Sequence, residues 1–306
     1  MTHGLRGTHI LSISQFNTEQ LHHLFGLAER YRRLGPETDC MRGKVMACLF
    51  YEASTRTFAS FTSAMLRLGG SVIPIQSVQF SSVTKGETLA DTVRAIEAYS
   101  DVIVLRHPEE GSAAEAAAYL KKPLINAGDG IGEHPTQALL DAFTIRAEKG
   151  TLENLRVTMV GDLRNGRTVH SLARLLSQYP GTQVTFVSPE SLRLPPRIVA
   201  ELREKKVELR EIADLQQVIS KTDVLYVTRI QKERFSSKEE YERVKDSYVI
   251  TPESIAFAPD RMVLMHPLPR INEISSEVDA DPRAAYFRQV EYGLHVRMAL
   301  LTLVLG

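Results

Sequence analysis

Short apolar runs alternate with helix-like repeats along almost the whole chain, the pattern expected of α/β layers built on mostly parallel sheets. Val45-Met46-Ala47-Cys48-Leu49-Phe50 reads as a buried strand. Phe61, Ala64, Met65 and Leu68 then follow at the i, i+3, i+4, i+7 spacing of one helix face. The same pattern predicts strands over 45–51, 71–75, 102–105 and 123–127, separated by helices over 58–68, 86–99 and 112–120. A first helix starts near Asn17, whose spacing to Gln20 fits a capping box, and stops at Gly35-Pro36.

A helix from His134 to Lys149, closed by Gly150, precedes a second alternating series. That series opens with Arg156-Val157-Thr158-Met159-Val160-Gly161 and predicts further strands over 183–187, 207–212, 223–228 and 262–265. A boundary between two domains is therefore expected near 135–150. The last segment, Ala284 to Leu305, carries Phe287, Val290, Val296, Ala299, Leu300 and Leu303 at positions suited to burial, with Gly293 as a weak point.

The 306 residues are enough for two domains of ordinary size, and 43% hydrophobic with 24% charged residues is normal for a globular protein. Lysine plus arginine equals aspartate plus glutamate at 37 each, so no general attraction to nucleic acid or to an anionic membrane is expected. Any anion must be bound locally. Two cysteines, Cys40 and Cys48, and histidines without a zinc-binding spacing give no sign of a disulfide framework or a metal site. With no signal-peptide pattern and no apolar stretch of membrane-spanning length, the expected setting is a reducing cytoplasm.

Candidate chemistry begins at Phe50-Tyr51-Glu52-Ala53-Ser54-Thr55-Arg56-Thr57, where a strand turns into a helix. Helix N-termini present unpaired N–H groups and the positive end of the dipole, so hydroxyls and a guanidinium there form an anion cradle. The ordinary alternative is a helix cap made by Ser54 or Thr55. An arginine in the first turn opposes the helix dipole unless an anion is bound, which favours the cradle.

Other polar clusters fall at predicted strand ends, where open α/β sheets hold their ligands. Arg106-His107-Pro108 follows one strand, and Gly132-Glu133-His134-Pro135-Thr136-Gln137 opens a helix after Asn126-Ala127-Gly128-Asp129. Their ordinary readings are a solvated loop charge and helix-start chemistry. Gly161-Asp162-Leu163-Arg164-Asn165-Gly166-Arg167 is a second strand-to-helix turn without the G-x-G-x-x-G spacing of a dinucleotide site. Thr228-Arg229-Ile230-Gln231 and Met265-His266-Pro267-Leu268-Pro269-Arg270 end two more strands, and a polar loop carries Ser81, Ser82, Thr84 and Lys85. Each of these is also compatible with an ordinary loop.

In order, the clusters resemble the aspartate carbamoyltransferases over nearly the full chain. The Phe-x-Glu-x-Ser-Thr-Arg-Thr run is similar to the carbamoyl-phosphate motif shared with the ornithine enzymes, whereas His266-Pro267-Leu268-Pro269 and Thr228-Arg229-Ile230-Gln231 resemble the aspartate enzymes. The resemblance implies two doubly wound α/β domains. Residues 1–142, completed by a C-terminal helix over 284–306, would bind carbamoyl phosphate, and 143–283 would bind L-aspartate.

It further implies that Ser54, Thr55, Arg56, Thr57, Arg106, His134 and Gln137 bind carbamoyl phosphate, with Ser81 and Lys85 reaching in from a neighbouring subunit of a homotrimer with shared sites. Thr57, Arg106 and His134 would polarise the carbamoyl carbonyl, and Gln137 and the Leu268 carbonyl would orient the amino groups. Arg56, Thr57, Lys85, Arg106, His134 and Gln137 form the implied catalytic set, while Lys85, Arg167, Arg229, Gln231 and Leu268 would hold aspartate, with no metal and no cofactor. Carbamoyltransferases acting on another amine, and an inactive scaffold, are the competing readings. Phe58 departs from the arginine that many relatives carry there. Thr228 to Phe235 and Asp281 to Gln289 also resemble the C-terminal domain of eukaryotic multifunctional pyrimidine-synthesis polypeptides, so the ending at Gly306 fits an excised domain fused to other pyrimidine-synthesis domains.

Overall fold

The run Val45–Phe50 forms strand β1 in the computed structural model, which describes residues 4–36, 39–76, 86–232, 235 and 237–306. Helix α1 (Thr18–Leu34) precedes it and carries the expected capping box, with Asn17 and Gln20 each accepting from the other's backbone N–H. After β1 come α2 (Thr55–Arg67), β2 (Ser71–Gln76), α3 (Leu89–Glu97), β3 (Val102–His107), α4 (Ser112–Ala117), β4 (Leu124–Asp129) and α5 (Pro135–Lys149). The second series is β5 (Arg156–Val160), α6 (Arg167–Leu176), β6 (Gln183–Val187), α7 (Pro196–Glu204), β7 (Glu208–Ile212), β8 (Val224–Val227), α8 (Lys238–Val244), β9 (Val263–Met265) and α9 (Tyr286–Leu305).

Two parallel sheets result, ordered β2-β1-β3-β4 and β7-β6-β5-β8-β9. Central strands buried on both faces need continuous apolar sequence, and β1, β3 and β8 supply it. Ala47, Leu49, Ile103, Leu105 and Leu124 pack with Ala113 and Ala116 of α4 in the first sheet's core. Val160, Val187, Leu225, Val227 and Leu264 form the corresponding core of the second. The chain divides into two compact units, Met1–Leu140 with Glu291–Gly306, and Asp141–Val290.

Helices α7 and α8 had no counterpart in the sequence-based prediction. Phe287 and Val290 are a correction: both are exposed, at 57% and 45%. The buried positions at the start of α9 are instead Ala285, Tyr286 and Gln289. Gln289 is polar, so hydrophobic periodicity alone could not mark this face as the inner one. Gly293 likewise serves packing: a Cβ there would stand 3.1 Å from Leu140 Cδ2 and 3.0 Å from Arg297 Nη1, so the glycine lets α9 approach α5 closely.

Gln289 is buried because it is satisfied. Its Nε2 donates to Asp141 Oδ1 at 2.6 Å, its Oε1 accepts from the His266 N–H at 3.1 Å, and Asp141 Oδ2 accepts from the Tyr226 hydroxyl at 2.8 Å. This network ties α5, β8, α9 and the end of β9 together inside the second unit. Asp141→Ala would leave two buried donors unsatisfied and should lower stability by about 2–4 kcal/mol. Urea denaturation checks this, and a loss below about 1 kcal/mol would show the network to be dispensable.

Candidate functional site

In the first sheet the chain builds outward from β1 to β2 on one side and from β3 to β4 on the other. Such a reversal leaves a crevice beyond the carboxyl ends of the two central strands. The Ser54–Thr57 turn leaves the end of β1 there, and Arg106 stands near the end of β3, directly opposite Phe50 in the strand register.

Arg106 is 8% exposed, and its guanidinium is held from two directions. Nη2 pairs with Glu52 Oε2 at 2.9 Å, and Nη1 donates to the Ala127 carbonyl at 3.1 Å. The Tyr51 N–H also donates to the Arg106 carbonyl at 2.8 Å. Glu52 therefore orients a candidate anion ligand, a role not assigned from the sequence although Glu52 stands inside the motif run.

Ser54 is the N-cap residue of α2, yet its hydroxyl makes no capping hydrogen bond. The ordinary reading of a side-chain cap thus fails at this position, and the hydroxyl is not committed to the helix. Thr55 and Arg56 are exposed and Thr57 is buried. Phe58 packs edge-to-face on Phe50 with ring centroids 5.4 Å apart, so the departure from arginine is filled by apolar contact.

His134 and Gln137 are buried at the start of α5, beyond the end of β4. The buried Asp129 carboxylate shapes the loop before them: Oδ1 accepts from the Glu133 N–H at 2.9 Å and from Asn126 Nδ2 at 3.2 Å, and Oδ2 from the Gly111 N–H at 3.1 Å. Gly130 has φ +53, and a Cβ there would meet Glu110 N at 2.7 Å and Pro108 O at 2.8 Å, so only glycine fits this approach of loop to loop.

The second sheet reverses between β5 and β8. Arg167 opens α6 after β5, and Arg229 and Gln231 follow β8, all three half-buried. Asp162, fully buried, joins the two loops. Its Oδ1 accepts from the Asn165 N–H at 2.9 Å, and backbone N–H groups of Gln231 and Arg164 also donate to the carboxylate. Burial pushes the Asp162 carboxyl above the usual carboxylate range, with those hydrogen bonds opposing it. Gln231 Nε2 adds a bond to the Asn165 carbonyl at 3.3 Å.

Gly161 has φ +121, and a Cβ there would stand 2.1 Å from the Thr228 carbonyl oxygen, so the two strand ends meet only because this residue is glycine. His170 fixes the same turn from below: burial pushes its ring down to about 4, and its Nε2 lies 2.8 Å from the Leu163 carbonyl, which a neutral Nε2–H donates to. Leu268, half-buried after β9, has φ 55. Ser81 and Lys85 lie outside the described residues.

The first unit thus gathers Ser54 to Thr57, Arg106, His134 and Gln137 at neighbouring strand ends, and the second gathers Arg167, Arg229 and Gln231. Each set suits an anion bound by guanidinium, hydroxyl and amide donors. Among the described residues, no group of three or more His, Cys, Asp or Glu side chains is arranged to hold a metal ion, and no helix is long and apolar enough to cross a membrane.

Residues 8–147 match the family model for the carbamoyl-P binding domain of aspartate/ornithine carbamoyltransferase, and 153–304 match its Asp/Orn binding domain. The chain is 58% identical to the multifunctional protein pyr1-3 of Dictyostelium discoideum over 99% of its own length and spans 14% of that relative. It is 47% identical to the aspartate carbamoyltransferase catalytic subunit of Clostridium botulinum over 99% of each chain. Among solved structures, aspartate transcarbamoylase from Trypanosoma cruzi in complex with carbamoyl phosphate and aspartate is similar with a TM-score of 0.94 and 43% identity, covering 99% of this chain and 98% of that one.

Because Ser54 makes no side-chain cap, Ser54→Ala should cost less than about 0.5 kcal/mol of stability, against about 1 kcal/mol for an ordinary cap. Thr88, which caps α3 by accepting from the Asp91 N–H, is the internal standard. Urea denaturation of Ser54→Ala and Thr88→Ala checks this, and equal losses would return Ser54 to a structural role.

Proposed function

The chain belongs to the aspartate/ornithine carbamoyltransferase family, and on that premise we propose that it is an aspartate carbamoyltransferase of de novo pyrimidine synthesis. It joins carbamoyl phosphate to the amine of L-aspartate, giving N-carbamoyl-L-aspartate and phosphate. One observation carries the reading: in each sheet the strand order reverses between the two strands whose ends carry the candidate anion ligands. The second set includes two arginines, Arg167 and Arg229, beyond adjacent strands β5 and β8, which suits a dicarboxylate acceptor and disfavours the ammonium-bearing side chain of ornithine.

In this reading Ser54, Thr55, Arg56, Thr57 and Arg106 hold the phosphate of carbamoyl phosphate, and Ser81 and Lys85 of a neighbouring subunit in a homotrimer complete that site. The family resemblance of the motifs supports these assignments. The neutral amine nitrogen attacks the carbamoyl carbon, the new C–N bond forms, the C–O bond to phosphate breaks, and the nitrogen gives up one proton as phosphate departs. Negative charge grows on the carbamoyl oxygen during attack, and Thr57, Arg106 and His134 donate to it. A donor fixed before the reaction stabilises that charge without reorganising, and the double restraint on Arg106 supplies this at one position.

Gln137 and the Leu268 carbonyl orient the substrate amino groups, while Arg167, Arg229 and Gln231 engage the aspartate carboxylates. Alignment of two anions that repel each other in water accounts for much of the acceleration. The division of labour follows the two compact units, Met1–Leu140 with Glu291–Gly306 for carbamoyl phosphate and Asp141–Val290 for aspartate, so residues 141–142 and 284–290, expected in the first domain, belong with the second. The chain works in the cytoplasm, free or as one domain of a longer pyrimidine-synthesis polypeptide, a reading that similarity to the multifunctional relatives supports.

Phosphate release from carbamoyl phosphate, measured with a panel of amino acids, tests the proposal. Turnover should require aspartate and be absent with ornithine, and Arg106→Ala should lower kcat by about a hundredfold or more. Turnover with a different acceptor alone would assign another carbamoyltransferase activity, and no turnover with any acceptor would make the chain a scaffold.

A further inference from the structure

The loop after β9 carries a buried histidine and a buried glutamate that none of the assigned roles uses. His266 is 1% exposed and Glu273 6%. The Leu268 N–H donates to His266 Nδ1 at 2.8 Å, and His266 Nε2 lies 2.7 Å from Glu273 Oε1. A backbone amide can only donate, so Nδ1 must carry a lone pair and the ring hydrogen must sit on Nε2, donated to Glu273. Burial pushes the His266 ring below its ordinary value, consistent with this neutral tautomer.

The other Glu273 oxygen, Oε2, accepts from the Ile271 N–H at 3.0 Å and the Asn272 N–H at 3.1 Å. Burial raises the Glu273 pKa, the hydrogen bonds from His266 and the backbone lower it by more, and the net direction is below the usual carboxylate value. One histidine and one glutamate therefore grip the turn on both sides of Pro269-Arg270. Leu268 lies in the left-handed region, φ 55, which a residue with a Cβ adopts only where its surroundings hold it. The His266 backbone is itself anchored, its N–H donating to Gln289 Oε1.

We propose that His266 and Glu273 are positioning residues that fix the Leu268 backbone, and with it the carbonyl offered to the amine of aspartate. This rests on the reading of Leu268 as a substrate ligand. The imidazole acts through the Leu268 amide and touches no substrate. A side chain at 266 that supplies an acceptor near the Nδ1 position should therefore preserve the loop even without the bond to Glu273.

His266→Ala and His266→Asn in the full chain separate this role from plain stability, because both remove the donor to Glu273 and only asparagine keeps an acceptor for the Leu268 amide. His266→Ala should raise KM for aspartate by about tenfold, the scale of one lost buried hydrogen bond, with carbamoyl phosphate affinity unchanged, and His266→Asn should recover most of the loss. Equal defects in the two variants, or a parallel loss of carbamoyl phosphate affinity, would overturn the proposal. Amide exchange of the unaltered chain gives an independent reading. The Leu268 amide should be protected to the same degree as those of β9, and an unprotected Leu268 amide would overturn the fixing role even if the chain proved to have no aspartate-dependent turnover.

Discussion

A parallel sheet whose strand order reverses cannot cover the carboxyl ends of its two central strands, because the connections on either side leave in opposite directions. That constraint operates in each sheet of this protein, between β1 and β3 and between β5 and β8. Most of the candidate ligands stand beside it. The turn after β1 supplies hydroxyls and an arginine at the start of α2, and the end of β3 supplies Arg106. The turns after β5 and β8 supply Arg167, Arg229 and Gln231.

Loops at such crevices must be held still without the ladder bonds of a sheet, and buried carboxylates do this here. Asp129 collects the N–H groups of Gly111 and Glu133, Asp162 those of Asn165, Arg164 and Gln231, and Glu273 those of Ile271 and Asn272. Each accepts hydrogen bonds from main-chain N–H groups, so the carboxylate and the loop donors satisfy one another. The glycines complete the arrangement by steric means: Gly130 and Gly161 permit backbone approaches that any Cβ would block. Preorganisation in this protein is thus a property of loops pinned to a rigid sheet.

Much of this was legible in the sequence, because apolar runs in central strands and amphipathic repeats in helices are strong local signals. All nine described strands fall at or within a residue or two of the predicted ranges, the ends being the least certain. The short helices α7 and α8 were missed. Phe287 and Val290 were misread because the inner face at the start of α9 is marked by Gln289, whose burial depends on Asp141 and on the His266 amide far away in sequence. For the candidate site, the motif run announced Ser54 to Thr57, but whether Ser54 caps its helix depends on geometry that spacing does not encode. The grip of Glu52 on Arg106 spans two strands that are distant in sequence and adjacent in the sheet.

In the proposed function, one set of residues in the first unit binds carbamoyl phosphate and a second set in the other unit binds the acceptor. Equilibrium binding of carbamoyl phosphate to the full chain in the absence of aspartate distinguishes the two sets. Arg106→Ala should weaken binding by about tenfold or more, the scale of a lost charge-assisted hydrogen bond, while Arg229→Ala should leave it within about twofold. Comparable weakening by both substitutions, or binding unchanged by Arg106→Ala, would contradict the division of labour between the two units.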